Sequence, residues 1–375
     1  MGLTSNKVLV LAVSLAVLLF VGTVWLWPRL ARRSLGAVGG RIGLLLATQV
    51  AIVLALGLSA NQAFGFYASW ADLLGRENGQ GVVLDHTAAG ADGGPLRVVG
   101  TQEVSVAGGS RPRVGGQIQE VAVVGRTTRI ATRAYVYLPP EYFQPRYRTR
   151  TFPAVVVLTG YPGTAQALIK GLPYPQTAHE EAKNGRAQPM ILVMLRPTVA
   201  PPRDTECVDV PGGPPTESFF AEDLPDAVSA HYRVGTKPGN WGVVGDSTGG
   251  YCALKLAVHH PQAYAAGAGL SPYYAAPTDA TTGDLFHGDE KLRDEADLRW
   301  YLGHRPAPDT SLLVTSSRQG EANYQDTLDF IELVKSRPPT RISSIVLDSG
   351  GHNFNTWRRE IPPALQWLSG RLTGR

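Results

Sequence analysis

The chain has 375 residues, 43% of them hydrophobic, and a formal charge of +4 at neutral pH. Lys7, Arg29, Arg32, Arg33 and Arg41 all fall within residues 1–60, which hold no Asp or Glu, and taking those five charges from +4 leaves the rest of the chain at −1. That placement argues against a nucleic-acid footprint, which needs basic residues gathered on a folded domain.

Two N-terminal stretches, Val8–Trp27 and Ile42–Leu58, are uncharged and apolar. Each falls within the roughly 17–25 residues that a helix needs to cross a bilayer. Trp25, Trp27, Phe64, Phe66, Tyr67 and Trp70 sit near the span ends, as interfacial aromatics do. A cleaved leader at Val8–Trp27 fits less well, because the stretch outruns a usual leader core and lacks a small-residue cleavage site. Pro28–Arg41 carries four arginines, which places that loop in the cytoplasm by the positive-inside rule. Residues 1–60 therefore read as a two-helix transmembrane hairpin, with everything beyond on the extracytoplasmic side; the inverted hairpin, with a cytoplasmic catalytic domain, is the alternative. Residues 61–116, rich in glycine and without sustained periodicity, read as linker and padding with short β-like runs at Leu96–Val99 and Glu103–Val106.

From residue 117 the texture changes. Gln117–Val124 and Ile130–Leu138 form a β-rich pair around Gly125–Arg129 and predict a hairpin. Pro153–Thr159 and Met190–Leu195 are short continuous apolar runs, the pattern of strands buried on both faces. Phe219–Tyr232 has helical spacing, Trp241–Gly245 reads as a strand, and Thr248–His260 reads as a helix stopped by Pro261. Leu312–Thr315 and Ile342–Leu347 are further strands, and Thr327–Val334 and Trp357–Leu368 further helices. Strands alternating with helices predict a mostly parallel sheet with helices on both faces over residues 117–375.

Gly245-Asp246-Ser247-Thr248-Gly249 lies between a predicted strand and a predicted helix, the setting that the G-x-S-x-G nucleophile elbow of an α/β-hydrolase fold requires. Ser247 is the expected nucleophile. A serine hydroxyl needs a base, and His352 in Gly350-Gly351-His352-Asn353 follows the last predicted strand near the C-terminus, where the Ser–acid–His order puts it. The acid must lie between them. Glu321, just after the Leu312–Thr315 strand, is placed best, Asp326 comes next, and Asp329 and Asp348 trail. The oxyanion donors are expected to be the backbone N–H of Thr248 and, from Gly160-Tyr161-Pro162-Gly163, that of Tyr161, since Pro162 has none. Cys207 and Cys252 are the two cysteines. Both fall at the predicted carboxyl edge of the sheet, so an extracytoplasmic domain would allow them to bridge; two independent thiols are the alternative. The scattered histidines and the lack of a Gly-rich phosphate loop give no metal or cofactor site.

Tyr135–Tyr142, Leu158–Gly163, Phe219–Tyr232, Gly245–Tyr251 and Gly351–Trp357 resemble the family described as "Putative esterase", which contains esterase D-like hydrolases and secreted actinobacterial mycolyltransferases. The resemblance covers about residues 117–372. It implies nucleophile and base roles for Ser247 and His352, an acid at or near Glu321, and oxyanion contacts from Tyr161 and Thr248. It also implies ester hydrolysis or acyl transfer, on an ester substrate that includes lipid or cell-envelope acyl esters. The chain departs from the mycolyltransferases in its hairpin and in lacking their trehalose-binding segments. Two enzymatic readings stand, a carboxylic-ester hydrolase and a cell-envelope acyltransferase. A catalytically silent binding protein on the same fold is disfavoured by the retained Ser, His and acid.

Overall fold

The computed structural model describes residues 5–32, 34–64, 70, 94–201 and 203–374. Arg33, Phe66, Tyr67 and residues 71–93 of the expected linker, with its first glycines, lie outside the described residues, as do the side chains at 63 and 64. The chain divides into two compact units, residues 1–78 and 79–375.

The first unit is a helix pair, α1 (Asn6–Leu26) and α2 (Leu35–Phe64). Their mean hydropathies of 2.7 and 2.2, with their length, are sufficient to cross a membrane. α2 begins well before the expected Ile42 because Gly36, Gly39, Gly40 and Arg41 continue the helix rather than breaking it. The two helices run antiparallel: Asn6 meets Gln62, and Thr23 meets Thr48. Small side chains let the backbones approach, with Ala16 packed among Ala51 and Ala55. The Thr23 and Thr48 hydroxyls lie 2.9 Å apart, and each also donates to the carbonyl four residues earlier, at Leu19 and Leu44, at 2.8 Å.

The second unit is built on one nine-stranded sheet. In chain order its strands are β1 (Leu96–Glu103), β2 (Gln117–Val124), β3 (Ala131–Leu138), β4 (Ala154–Leu158), β5 (Ile191–Leu195), β6 (Trp241–Asp246), β7 (Ala266–Leu270), β8 (Ser311–Gln319) and β9 (Arg341–Ser349). Their spatial order is β1-β2-β3-β5-β4-β6-β7-β8-β9, antiparallel from β1 to β5 and parallel from β5 to β9. The principal helices are α3 (Tyr174–Lys183), α4 (Leu224–His231), α5 (Thr248–His259), α6 (Glu290–Ala296), α7 (Leu298–His304), α8 (Tyr324–Lys335) and α9 (Phe354–Ser369). Period-2 alternation splits each central strand between two cores. Ala154, Val156 and Leu158 of β4 pack with α4, α5, α7 and α8, while Val155 and Val157 pack with α3 and α9.

In the sheet, β7 (Ala266–Leu270) has no counterpart among the expected strands, and β1, β8 and β9 depart from their expected extents. The 61–116 segment is not all padding, because Leu96–Glu103 pairs with β2 as the sheet's outer strand. Only Leu96 and Val98 meet the core, so the apolar alternation there is faint. β8 and β9 run past the expected Thr315 and Leu347 and stay paired to Gln319↔Ser349. The added residues are mostly polar and carry no hydropathy signal.

Candidate active site

β6 ends at Asp246 and α5 begins at Thr248, leaving Ser247 alone on the turn at the carboxyl edge of the sheet. Its backbone sits at φ 54°, ψ −121°, a region that L-residues rarely occupy and that strain at functional sites often explains. The elbow is held by Ser247 N–H donating to the Leu270 carbonyl at 3.0 Å and by Tyr251 N–H donating to the Ser247 carbonyl at 3.0 Å. Close approach of α5 to β4 requires glycine at 249, where a Cβ would stand 2.3 Å from the Leu158 carbonyl oxygen.

His352 comes from the loop between β9 and α9. Its Nε2 lies 2.8 Å from Ser247 Oγ. Asn353 caps α9, accepting from the N–H groups of Asn355 and Thr356, and Gly351 N–H donates to Thr356 Oγ1 at 2.8 Å, so the loop is braced on both sides of the histidine. Trp357 meets the imidazole edge to face at 5.2 Å. One side of His352 is open to solvent. Crowding of the ring nevertheless lowers its pKa below the ordinary histidine value, and the Glu321 charge opposes part of that.

Glu321 follows the end of β8 and is buried. Gly320 precedes it at φ 94°, packed so closely on Gly350 that a Cβ would reach within 1.9 Å of the Gly350 oxygen. Ser271 Oγ donates to Glu321 Oε1, and Trp357 Nε1–H donates to Ser271 Oγ at 2.9 Å. Glu321 Oε2 has no partner among the described residues. Asp326 stands elsewhere, exposed on α8 and paired with Arg299 at 2.8 Å. Asp329 is engaged by Gln325, and Asp348 is fully exposed. The structure therefore brings Ser247, His352 and Glu321 to one place and leaves the other three carboxylates outside it. Ser271 escaped the sequence reading. It follows β7 directly at φ 46°, and nothing in Leu270-Ser271-Pro272 signals its contact with a residue fifty positions on.

The Gly160–Gly163 turn passes beside the elbow. A Cβ built at Gly160 would lie 2.9 Å from the Ser247 Cβ, and Gly160 N–H donates to Asp246 Oδ2 at 2.9 Å. Tyr161 thus follows directly on the residue that touches the serine. Burial pushes Asp246 up to about 7. Thr248 opens α5, so its N–H belongs to the unpaired donors of a helix start.

Cys207 and Cys252 are bonded, with Cα atoms 5.6 Å apart. Lys255 Nζ donates to the Cys207 carbonyl at 2.6 Å and pairs with Glu217 at 2.6 Å, which in turn engages His259 and His260. This fixes the loop after β5 to α5. Residues 277–286, in the insert between β7 and β8, clasp the same loop: Arg203 donates to the carbonyls of Thr282 and Asp284, and Leu285 and Phe286 pack on Val208 and Val210. Among the described residues no three His, Cys, Asp or Glu side chains group as metal ligands.

Among solved structures the fold is similar to a ferulic acid esterase (16% identity, 68% of this chain and 98% of that one, TM-score 0.57). It is equally similar to an S-formylglutathione hydrolase from Agrobacterium tumefaciens (17% identity, 74% of this chain and all of that one, TM-score 0.57). The fluorophosphonate-binding serine hydrolase FphF of Staphylococcus aureus matches at 18% identity, over 67% of this chain and 98% of that one, TM-score 0.54. These likenesses show the α/β-hydrolase fold. In sequence, an uncharacterised protein of Corynebacterium glutamicum is 25% identical over 252 residues, which make up 64% of this chain and 58% of that relative. Residues 126–368 match the family model described as "Putative esterase", and on that match the chain belongs to this esterase family of serine hydrolases.

Proposed function

We propose that the chain is a membrane-anchored, extracytoplasmic carboxylic-ester hydrolase acting through an acyl-enzyme on Ser247. The observation that carries the reading is the 2.8 Å contact between His352 Nε2 and Ser247 Oγ on a strained elbow. His352 Nε2 takes the hydroxyl proton as Ser247 Oγ attacks the ester carbonyl. The imidazolium so formed directs Nδ1–H at Glu321, whose Oε2 is the oxygen without a partner. Negative charge on the carbonyl oxygen is met by the backbone N–H groups of Thr248 and Tyr161. Collapse expels the alcohol, which takes its proton from His352, and water then repeats the sequence on the acyl-enzyme to release the acid and free Ser247. An alcohol in place of water makes the same machinery an acyltransferase.

Anchoring is supported by the hydropathy of α1 and α2 and by their small-residue contact. The outward orientation is supported by Arg29, Arg32 and Arg33 between the helices and by a disulfide that an oxidising compartment would preserve. Membranes bearing the full chain, treated with a fluorophosphonate and offered p-nitrophenyl acetate, test the chemistry. Ser247→Ala is expected to lose both labelling and hydrolysis, and retention of either at full rate refutes the assignment. Protease added to intact cells is expected to remove the catalytic domain, and protection until lysis refutes the orientation.

A further inference from the structure

Beside the elbow, reaching the side chain of Thr248, a second set of polar groups is buried without a part in the mechanism above. Glu206 and Asp204 are almost wholly inaccessible. The Tyr273 hydroxyl lies 2.5 and 2.7 Å from the two Glu206 oxygens and 3.0 Å from Thr248 Oγ1. The Thr248 hydroxyl in turn donates to the Asp204 carboxylate. The Tyr273 ring stacks on Tyr251 of α5 at 5.2 Å, so the phenol has little freedom to swing away.

The backbone that presents Glu206 is held at a cost. Glu206 and Cys207 both have φ 49°, two consecutive non-glycine residues in the left-handed region. The Cys207–Cys252 bond and the Lys255 contact to the Cys207 carbonyl tie that segment to α5. A strained loop covalently fixed to the nucleophile's helix, with a buried acid reaching the residue next to the nucleophile, is more than a surface loop requires.

We propose that Tyr273 and Glu206 are positioning residues for the reaction of Ser247: their hydrogen bonds fix Thr248, and with it the backbone N–H that faces the developing oxyanion. The proposal rests on the serine-hydrolase reading of the site. Tyr273 has one proton to give. With Glu206 protonated, the carboxyl donates to the phenol oxygen, Tyr273 donates to Thr248 Oγ1, and Thr248 donates to Asp204, so each donor has an acceptor. With Glu206 ionised, Tyr273 turns its proton to the carboxylate and Thr248 loses its donor. The groups facing Glu206 are Asp204 on its own loop, Asp279 on the insert, Tyr273, Tyr251 and Lys255. Burial is the main cause that pushes Glu206 up to about 8, with Asp204 and Asp279 adding to it and Tyr273 and Lys255 opposing. The protonated arrangement therefore holds at neutral pH and is lost above about pH 8.

The test is steady-state hydrolysis of p-nitrophenyl acetate by the full chain in detergent, from pH 6 to 9.5. Tyr273→Phe is expected to lower kcat about tenfold or more with KM within about twofold, since it loosens one oxyanion donor without removing it. Free-thiol titration accompanies it to show the disulfide kept. In the wild type kcat is expected to fall several-fold between pH 7 and 9. In Glu206→Gln, whose amide donates at every pH, that ratio is expected to stay within about twofold. Should Tyr273→Phe fail to fold, Thr248→Val removes the same contact from the other end, and Thr248→Ser restores it. Wild-type kcat in Tyr273→Phe or Thr248→Val, or an unchanged pH ratio in Glu206→Gln, overturns the proposal while Ser247→Ala remains inactive. Hydrolysis surviving in Ser247→Ala overturns the reading beneath it as well.

Discussion

Glu360 offers the most direct test of the electrostatics under the site. It lies on α9 with no accessible surface, and neither carboxylate oxygen makes a well-formed hydrogen bond. Burial pushes its pKa from 4.5 to about 8, with Glu321 and Asp246 adding to the shift and Thr315 and Arg359 opposing it. Between about pH 4.5 and 8 the folded chain thus keeps a proton that the unfolded chain has released. Stability must therefore fall as pH rises through that window. At 1.36 kcal/mol per unit, the shift corresponds to on the order of 5 kcal/mol across it. Glu360→Gln keeps the shape, cannot ionise, and is expected to remove that share of the slope. Urea unfolding of the catalytic unit, followed by tryptophan fluorescence at pH 5, 6, 7 and 8, measures it. The variant should gain on the wild type steadily from pH 5 to 8. Two parallel curves would refute a buried neutral Glu360. Glu206 and Asp246 are shifted the same way, so the Glu360→Gln variant should itself still lose some stability over that range.

Glu321→Gln should cut kcat by about 10²- to 10⁴-fold, the range for loss of an acid that orients the base, whereas Asp326→Asn should stay within about twofold; the reverse order, read from initial rates, would move the role to Asp326. His352 must be neutral to accept the serine proton, and its pKa is lowered. The acid limb of kcat/KM should therefore fall below pH 6.5, and an inflection above that value would contradict the depressed pKa. Thiol titration of the unfolded, unreduced chain should find no free thiol. Reduction should cost about 4 kcal/mol of stability by the chain-entropy estimate for a cross-link spanning 45 residues, measured as a shift in urea midpoint.

The parts of the site that were readable in the sequence are those where local backbone chemistry dictates residue type. A sharp strand-to-helix turn demands small neighbours around Ser247, and continuous apolar runs mark β4 and β5 because both faces are covered. The same logic singles out His352 by its place after a strand, and the structure sets its Nε2 2.8 Å from Ser247 Oγ. Glu321 was only ranked above Asp326, since a carboxylate after a strand looks alike whether it turns inward to Ser271 or outward to Arg299. Ser271, Tyr273 and Glu206 left no signal, because each acts through a contact made only when distant loops meet. β1 was faint for a different reason. As an outer strand it buries little, and pairing to β2 supplies what its side chains do not.

The continued pairing of β8 with β9 has a mechanical consequence. β7 accompanies β8 only as far as Val314, whereas β8 and β9 remain joined to Gln319↔Ser349, at the threshold of Glu321 and His352. Glu321 and His352 thus follow the two strands of one arm, while Ser247 follows the separate, central strand β6. That shared pairing sets the stems of Glu321 and His352 against each other, while Ser271, just after β7, ties the Glu321 carboxylate back to the neighbouring strand.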